Sequence, residues 1–325
     1  MEDRVLRVLQ NPALRQALGI PADAALKPEF LAQGEYNQNY RFVHPVTGET
    51  LVLRLNCGSQ MHLENQIGYE FAALRLLEPS GRTPRPRFVD EAAGAMVQSF
   101  IPGRHLDYGA DLPKAAACLA EIHAATVGQQ GSLLWPEAPL RAILRECRDM
   151  FRVYQASPLA DGEKRRVIEA LLDRGDRAAD AYEGGAYPLC CVNTELNNTN
   201  FLVEGDTARL VDWEKPIYGD PAQDLGHFLA PTTTFWKTDV IFTEAETRAF
   251  LSRYLQAVDG RFSTEGLAER VRVFIPITCL RGLTWCAMAW VQYQGEGGLR
   301  NASTRQKLDA YLDWTFLERI QAQFS

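Results

Sequence analysis

The sequence predicts an α+β protein of two lobes. The first is a small five-stranded antiparallel sheet with one main helix, and the second is larger and mostly helical. Three observations lead there. The chain of 325 residues exceeds what a single core comfortably holds. Short alternating apolar runs punctuated by turn residues fill the stretch before residue 102. Beyond it, nearly every apolar pattern has helical spacing. The division is drawn at Ile101-Pro102-Gly103, giving residues 1–101 and 102–325, with the proline and glycine as a hinge.

Each element follows from its own pattern. "MEDRVLRVLQNPALRQALG" reads as an amphipathic helix, charged throughout and without the apolar core of a signal peptide. From Pro28 to Asn56 the chain alternates strand and turn: "EFLAQ", then "GEYNQ", "NYRFVHP", the turn "VTGE", and "TLVLRLN" with Leu51, Leu53 and Leu55 on one face. Leu63, Ile67, Phe71, Leu74 and Leu77 fall at helical spacing, and Ser80-Gly81 ends that helix. "RPRFVD" and "AMVQSF" are two further strands joined by a turn from Glu91 to Gly94. In the second lobe, "LPKAAACLAEIHAATV" and residues 139–154 and 161–183 read as helices. Residues 190–213 give the one strand signal there, and everything past Pro221 is helical.

Composition narrows the function classes. The net charge of −7 lacks the basic surface that phosphate-backbone binding needs, so no nucleic-acid partner is expected. The seven cysteines are scattered without a CxxC pair, which suggests free thiols in a reducing compartment and a cytoplasmic protein. No stretch holds 18 uninterrupted apolar residues; "FIPITCLRGLTWCAMAWV" comes nearest and is broken by Arg281, so no membrane span is expected. No G-x-S-x-G, H-E-x-x-H or G-x-G-x-x-G occurs, leaving hydrolase, zinc-protease and dinucleotide readings without support.

The chemistry concentrates in "CCVNTELNNTNFLVEGDTARLVDWEKPIYGDPAQDLG". Phosphoryl transfer needs a phosphate cradle, a cation on the phosphates, magnesium ligands and a carboxylate near the accepting hydroxyl. A kinase catalytic loop spaces H-R-D and Asn by four residues. Here Asn193-Thr194-Glu195 and Asn200 have that spacing, and Asp212 follows. A hairpin centred near Asp206 would set Asn200 opposite Asp212, roughly 4.5–5.5 Å apart. Two oxygens at about 2.1 Å from one magnesium ion fit that separation. In the first lobe, Arg54 ends "LVLR" on the face opposite the leucines, Val52 shares its face to cover an adenine ring, and Glu70 follows on the helix.

These segments resemble the aminoglycoside phosphotransferase and choline/ethanolamine kinase superfamily across essentially the whole chain. "GEYNQNYRF" is similar to its nucleotide loop, "MVQSFIPGRHL" to its hinge, and "CLAEIHAA" to its helix ending in histidine. "VNTELNNTNFLV" resembles its catalytic loop, usually His-Gly-Asp then Asn, and "LVDWEKPIYGDPAQDLG" its metal-binding segment. The resemblance implies a bilobal protein-kinase-like fold and transfer of the γ-phosphate of ATP or GTP to a small-molecule hydroxyl. It implies magnesium on Asn200 and Asp212, and Glu195 at the base position with Asn193 bracing the loop. Nucleotide contacts would come from Gly34, Asn39, Val52, Arg54, Glu70, Gln98, Ser99, Phe100 and Ile101. Two departures stand out: Arg54 for lysine, a fork for a compact ammonium, and Glu195 for aspartate, longer by one methylene. They frame the rival reading, a nucleotide-binding pseudokinase. A protein kinase fits less well, because no long activation segment or A-P-E follows Asp212.

The expected cleft is the largest cavity, faced by Arg54, Glu195, Asn200 and Asp212. His123 and His227 read as core or loop-bracing residues, and Asp220 as a helix cap whose box Gln223 completes. Asp224 is a candidate brace for the catalytic loop. Trp213, Trp236, Trp285, Trp290 and Tyr293 read as helix packing in preference to a pocket for a methylated ammonium.

Overall fold

A computed structural model describes residues 2–34, 36–59, 61–182, 187–294 and 302–324. Its N-terminal segment is two helices, α1 (Glu2–Leu9) and α2 (Pro12–Leu18), where one was expected. Asn11 accepts a hydrogen bond from the Ala13 N–H, and Pro12 takes the first helical position, which stops α1 from running through.

Strands β1 (Glu29–Gln33), β2 (Asn37–Val43), β3 (Thr50–Asn56), β4 (Pro86–Asp90) and β5 (Ala95–Ser99) form one antiparallel sheet ordered β1-β2-β3-β5-β4. Alternation along β3 sends its residues to two different helix layers. Leu51, Leu53 and Leu55 join Phe42 and Val97 beneath Val5, Val8, Leu9 and Leu14 of α1 and α2. Arg54 faces the other way and meets Glu70 of α3 (Gln66–Leu77). That helix starts where Asn65 accepts from the Gly68 N–H and passes through a short 3-10 turn to left-handed Gly81. Its Ile67, Leu74 and Leu77, with Met96 of β5, belong to the same buried cluster as the helical lobe. The sheet is therefore covered on both faces.

The chain then leaves the sheet through Gly103, whose φ of +139° suits glycine alone. A Cβ there would stand 2.8 Å from the Val203 carbonyl oxygen. Two very short strands escaped the sequence pattern because they are too short to alternate. They are β6 (Arg104–His105), which pairs with β8, and β10, which pairs with β7. Strands β7 (Cys190–Val192), β8 (Phe201–Glu204), β9 (Thr207–Leu210) and β10 (Ile217–Gly219) follow α4 (Leu112–Thr126), α5 (Pro139–Ala156) and α6 (Gly162–Tyr182) in the chain, and β7 and β9 pack on α4. The expected end of α6 at residue 183 lies outside the described residues.

Everything after Pro221 is helical, as the spacing predicts: α7 (Pro221–Leu229), α8 (Pro231–Lys237), α9 (Glu244–Val258), α10 (Leu267–Gln294), α11 (Ala302–Tyr311) and α12 (Trp314–Ala322). By length and composition α10 could cross a membrane despite Arg281, but 67% of its apolar stretch is buried within the protein. It is the core helix of the lobe. All seven cysteines are free, and six of them are buried.

Candidate active site

The candidate catalytic loop begins where β7 ends, and Asp224 of α7 fixes its first turn. Asp224 is fully buried; its Oδ2 accepts from the Asn193 N–H and its Oδ1 from the Thr194 N–H, both at 2.8 Å. His123 holds the same carboxylate from α4 at 3.3 Å and meets the Tyr254 hydroxyl at 2.7 Å. The brace expected of Asp224 and the bracing role expected of His123 are thus both built. Asn193 is 1% exposed; its side-chain nitrogen donates to the Asp212 carbonyl at 2.8 Å, and its Oδ1 accepts from the Glu195 N–H. It shapes the loop from within and does not line the cavity described below.

Thr194 sits at φ +69°, a conformation a β-branched residue adopts only under constraint. The Asp224 contact and a 2.9 Å bond from its hydroxyl to the Lys215 carbonyl supply that constraint. The next residue, Glu195, lines the cavity described below.

The hairpin after the loop is closed by a two-residue turn, Gly205-Asp206, with Phe201 opposite Leu210 and Glu204 opposite Thr207. The register is one residue off the expected centre at Asp206, because two-residue turns match strand twist. Asn200 consequently pairs with Val211, not Asp212. Asp212 lies one residue farther on, at φ +65°, and this left-handed turn brings its side chain back to the wall that Asn200 lines. The Asn200 amide nitrogen is engaged by the Glu195 carbonyl, whereas Asn200 Oδ1 and Asp212 Oδ2 carry no hydrogen bond among the described residues. Two open oxygen donors on one wall fit a hard divalent cation that takes its remaining ligands from phosphates and water. Among the described residues no group of three or more His, Cys, Asp and Glu forms a preformed cage.

Arg54 is 6% exposed and gripped by three carboxylates. Its Nε donates to Glu70 at 2.8 Å, and its Nη2 donates to Asp212 at 3.2 Å and to Glu214 at 2.7 Å. Burial opposes the charge, but the three acids together hold its proton more tightly than in free arginine. Glu214 also accepts from the Asn37 side chain. Burial, then Asp212, pushes its acid form up to about 7. Sequence reading missed Glu214, although it stands two residues past Asp212 in "DWE".

A cavity of about 390 Å³ opens beside the loop and is lined by Glu195, Asn200 and Asp212, but not by Arg54. The expectation that all four residues face the largest cavity fails, because Glu70, Asp212 and Glu214 hold the Nε and Nη2 edge of Arg54 away from it. A larger hollow, about 720 Å³, lies by α1 and α2 instead. The cavity is also lined by Glu146 and Arg281, which sequence reading missed, and by His227, Trp236 and Trp285, the two indoles being perpendicular with centroids 5.2 Å apart. Trp285 is 41% exposed, so the packing assignment fails for it, while His227 is partly buried on α7 and borders the cavity. The packing assignment holds for Trp213, for Trp290 against Tyr154 and for Tyr293. Asp220 caps α7 as expected, yet Gln223 closes no box and its Oε1 is unpartnered. Asp220 instead binds Arg270 at 2.6 Å.

The remaining nucleotide candidates lie on the sheet side. Asn39 stands opposite Arg54 in the ladder with its Oδ1 buried and unpartnered; Val52 is buried between Arg41 and Gln98. Gln98, Ser99, Phe100 and Ile101 are half-buried at the end of β5. Gly34 lies close to the Glu214 carboxylate, and Glu35 of the same loop lies outside the described residues.

Comparison with known proteins agrees with this fold. Across 98% of the chain and 96% of its own length, choline kinase from Cryptosporidium parvum Iowa II superposes with a TM-score of 0.68 at 12% identity. A choline/ethanolamine kinase family protein from Mesorhizobium loti gives 0.60 at 17%, covering 97% and 99% of the two chains. Spectinomycin phosphotransferase, solved with ADP and spectinomycin, gives 0.62 at 14%, covering 94% of each. These show a shared, kinase-like fold. No curated protein matches the sequence. The sequence model of the phosphotransferase enzyme family, however, matches residues 27–269, the span that runs from β1 through the catalytic loop to the start of α10. The chain belongs to the phosphotransferase enzyme family.

Proposed function

We propose that this protein transfers the γ-phosphoryl group of ATP, or of GTP, to a hydroxyl of a small metabolite, with residues 1–101 as the nucleotide lobe and 102–325 as the catalytic and acceptor lobe. The observation that carries the reading is one wall holding Glu195, Asn200 and Asp212 together, with Asp212 joined through Arg54 to Glu70. In the reaction, the acceptor oxygen bonds to the γ-phosphorus, the bond to the β–γ bridging oxygen breaks, and the nucleoside diphosphate leaves. The hydroxyl proton passes to Glu195. Asn200 and Asp212 would hold magnesium, which supplies neutralisation of phosphate charge when bound. Arg54 keeps the β3 position from which a cation serves the phosphates. Trp236 and Trp285 on the cavity support an acceptor carrying a cationic group, such as an amino-sugar or choline-like compound, through cation–π attraction. The free thiols support a cytoplasmic setting.

The test is nucleoside diphosphate release from ATP and GTP, with and without magnesium, against choline, ethanolamine, amino-sugars, neutral sugars and nucleosides. Turnover should need magnesium, and Asp212→Ala should abolish the gain in nucleotide affinity that magnesium gives. Magnesium-independent nucleotide binding with no turnover on any acceptor would refute the enzyme reading and leave a binding module.

A further inference from the structure

We propose that Arg281 is a positioning residue that fixes the Glu195 carboxylate in the cavity, with Glu146 holding the arginine and Lys215 as a second anchor; this rests on the phosphotransferase reading above. Glutamate carries its carboxylate on a flexible stem, and a displacement of about 1 Å at a reacting group costs on the order of 10²-fold in rate. Glu195 therefore needs anchors, and Arg281 on the cavity wall and Lys215 beside it supply two. A hollow of about 390 Å³ lies on one side of the Arg281–Glu146 pair and another of about 200 Å³ on the other.

Two cations from different elements converge on one oxygen of Glu195. Arg281 Nη2 of α10 donates to Oε1 at 3.2 Å, and Lys215, from the segment between Asp212 and β10, places its Nζ 3.4 Å away. Arg281 is the lone charge in "FIPITCLRGLTWCAMAWV", where an isolated cation would be unfavourable. Glu146 of α5 offsets it with a two-point grip, Nε to Oε2 at 3.0 Å and Nη2 to Oε1 at 3.2 Å. Burial opposes ionisation of Glu146, but Arg281 overcomes it and keeps the carboxyl below its ordinary range, so the pair is ionic.

The Glu146–Arg281 pair would be complete by itself as a link between α5 and α10. Adding Glu195 to the same guanidinium nitrogen brings in a second negative charge that a purely structural pair does not need, and Lys215 restores the balance. Glu146, Glu195 and Lys215 lie within the segment that matches the family's sequence model, and Arg281 lies beyond it on α10. In the reaction, a carboxylate shared by two cations is a weak base. Its use is to orient the acceptor hydroxyl toward the γ-phosphorus and to receive its proton as the bond to the leaving diphosphate opens. A loose transition state asks little more of the base.

The experiment compares Arg281→Met, Arg281→Lys, Glu195→Gln and the Arg281→Met/Glu195→Gln double variant. Each is assayed with MgATP and the best acceptor of the panel, or with water where none is used. Arg281→Met should lower kcat by about 10²-fold while the KM for MgATP stays within about twofold, and Arg281→Lys should recover most of the loss. In the Glu195→Gln background, Arg281→Met should add less than about threefold, because both changes remove the same contribution. An Arg281→Met kcat within about threefold of wild type, or an equal loss in the Glu195→Gln background, overturns the proposal. Arg281→Met/Glu146→Gln removes both buried charges and should show the same kcat loss if the single variant misfolds. A wild type without turnover, even on water, sinks the phosphotransferase reading instead. Crystals of wild type and Arg281→Met then decide the positioning claim alone: the Glu195 carboxylate should shift or spread over rotamers, and an unmoved carboxylate refutes it.

Discussion

Replacing Asp224 by asparagine removes a charge that nothing else in the loop can substitute. The carboxylate is fully buried and accepts three contacts: two backbone N–H groups at 2.8 Å and His123 at 3.3 Å. Hydrogen bonds to a charged group are worth about 1.5–3 kcal/mol each. Asparagine retains one carbonyl oxygen, so at least one backbone N–H of Asn193 or Thr194 is left facing an amide NH₂. Losing that bond and burying its donor unsatisfied costs roughly 3–5 kcal/mol, partly offset because a buried charge no longer has to be desolvated. A net loss of about 3 kcal/mol is a large share of an ordinary stability of about 5–15 kcal/mol. Urea unfolding followed by circular dichroism measures it. Turnover should fall further than stability does, by about 10²-fold at temperatures where the variant is folded, because Thr194 is released from φ +69° and carries Glu195 with it. In a Thr194→Gly background the rate loss should shrink, since glycine has no left-handed strain to release. A stability loss under about 1 kcal/mol with turnover intact would refute the bracing argument.

Three further outcomes follow from the same geometry. Arg54→Lys keeps the charge but not the fork, and should cost about 2–4 kcal/mol because two of its carboxylate bonds go unmade; an unchanged melting temperature would contradict this. Gly103→Ala forces a Cβ to 2.8 Å from the Val203 carbonyl and should destabilise by at least about 2 kcal/mol in urea. Gly205→Ala, with open space around it, should cost only about 1 kcal/mol. Asp111 is held below its ordinary carboxylate range, first by Arg104 and then, against burial, by the Asp107 N–H and Lys114. Its contribution is therefore full above its unfolded value of about 3.9 and is lost as pH falls toward the depressed folded value. Asp111→Asn should flatten the acid limb of the melting-temperature profile below about pH 4, and an unaltered limb would rule that out.

Much of the site was legible because its residues are close in sequence. Asn193 to Asp212 form one loop and one hairpin, so their spacing fixes most of their geometry. Even there, a guess about the hairpin tip moved the partner of Asn200 by one residue, since turn closure and not symmetry about Asp206 sets the register. Glu70 and Arg54 were found across 16 residues because strand and helix periodicity each fix a face. The rest of the cavity lining was harder to read, for the opposite reason. Glu146, Trp236, Arg281 and Trp285 come from three helices whose crossing is a tertiary fact, and each looks locally like helix packing. Arg281 did leave a sign: a single arginine in an apolar core helix needs a partner. The strands β6 and β10 left none.

The attachment of α3 bears on control. In regulated kinases the helix glutamate and its strand cation are brought together or pulled apart to switch activity. Here that helix is fastened at three levels to the segment carrying Asp212. Gln66 donates to the Glu214 carbonyl at 2.8 Å, Glu70 meets Arg54 with Asp212 and Glu214 on its other edge, and the Tyr69 hydroxyl reaches the Pro216 carbonyl at 2.5 Å. Its apolar side is part of the larger lobe's own core. Swinging it outward would break all three ties and expose core residues at once, so the assembled arrangement is the resting one. Under the proposed function, no assembly step on α3 would precede transfer, and the rate would follow the supply of the two substrates and the amount of protein made.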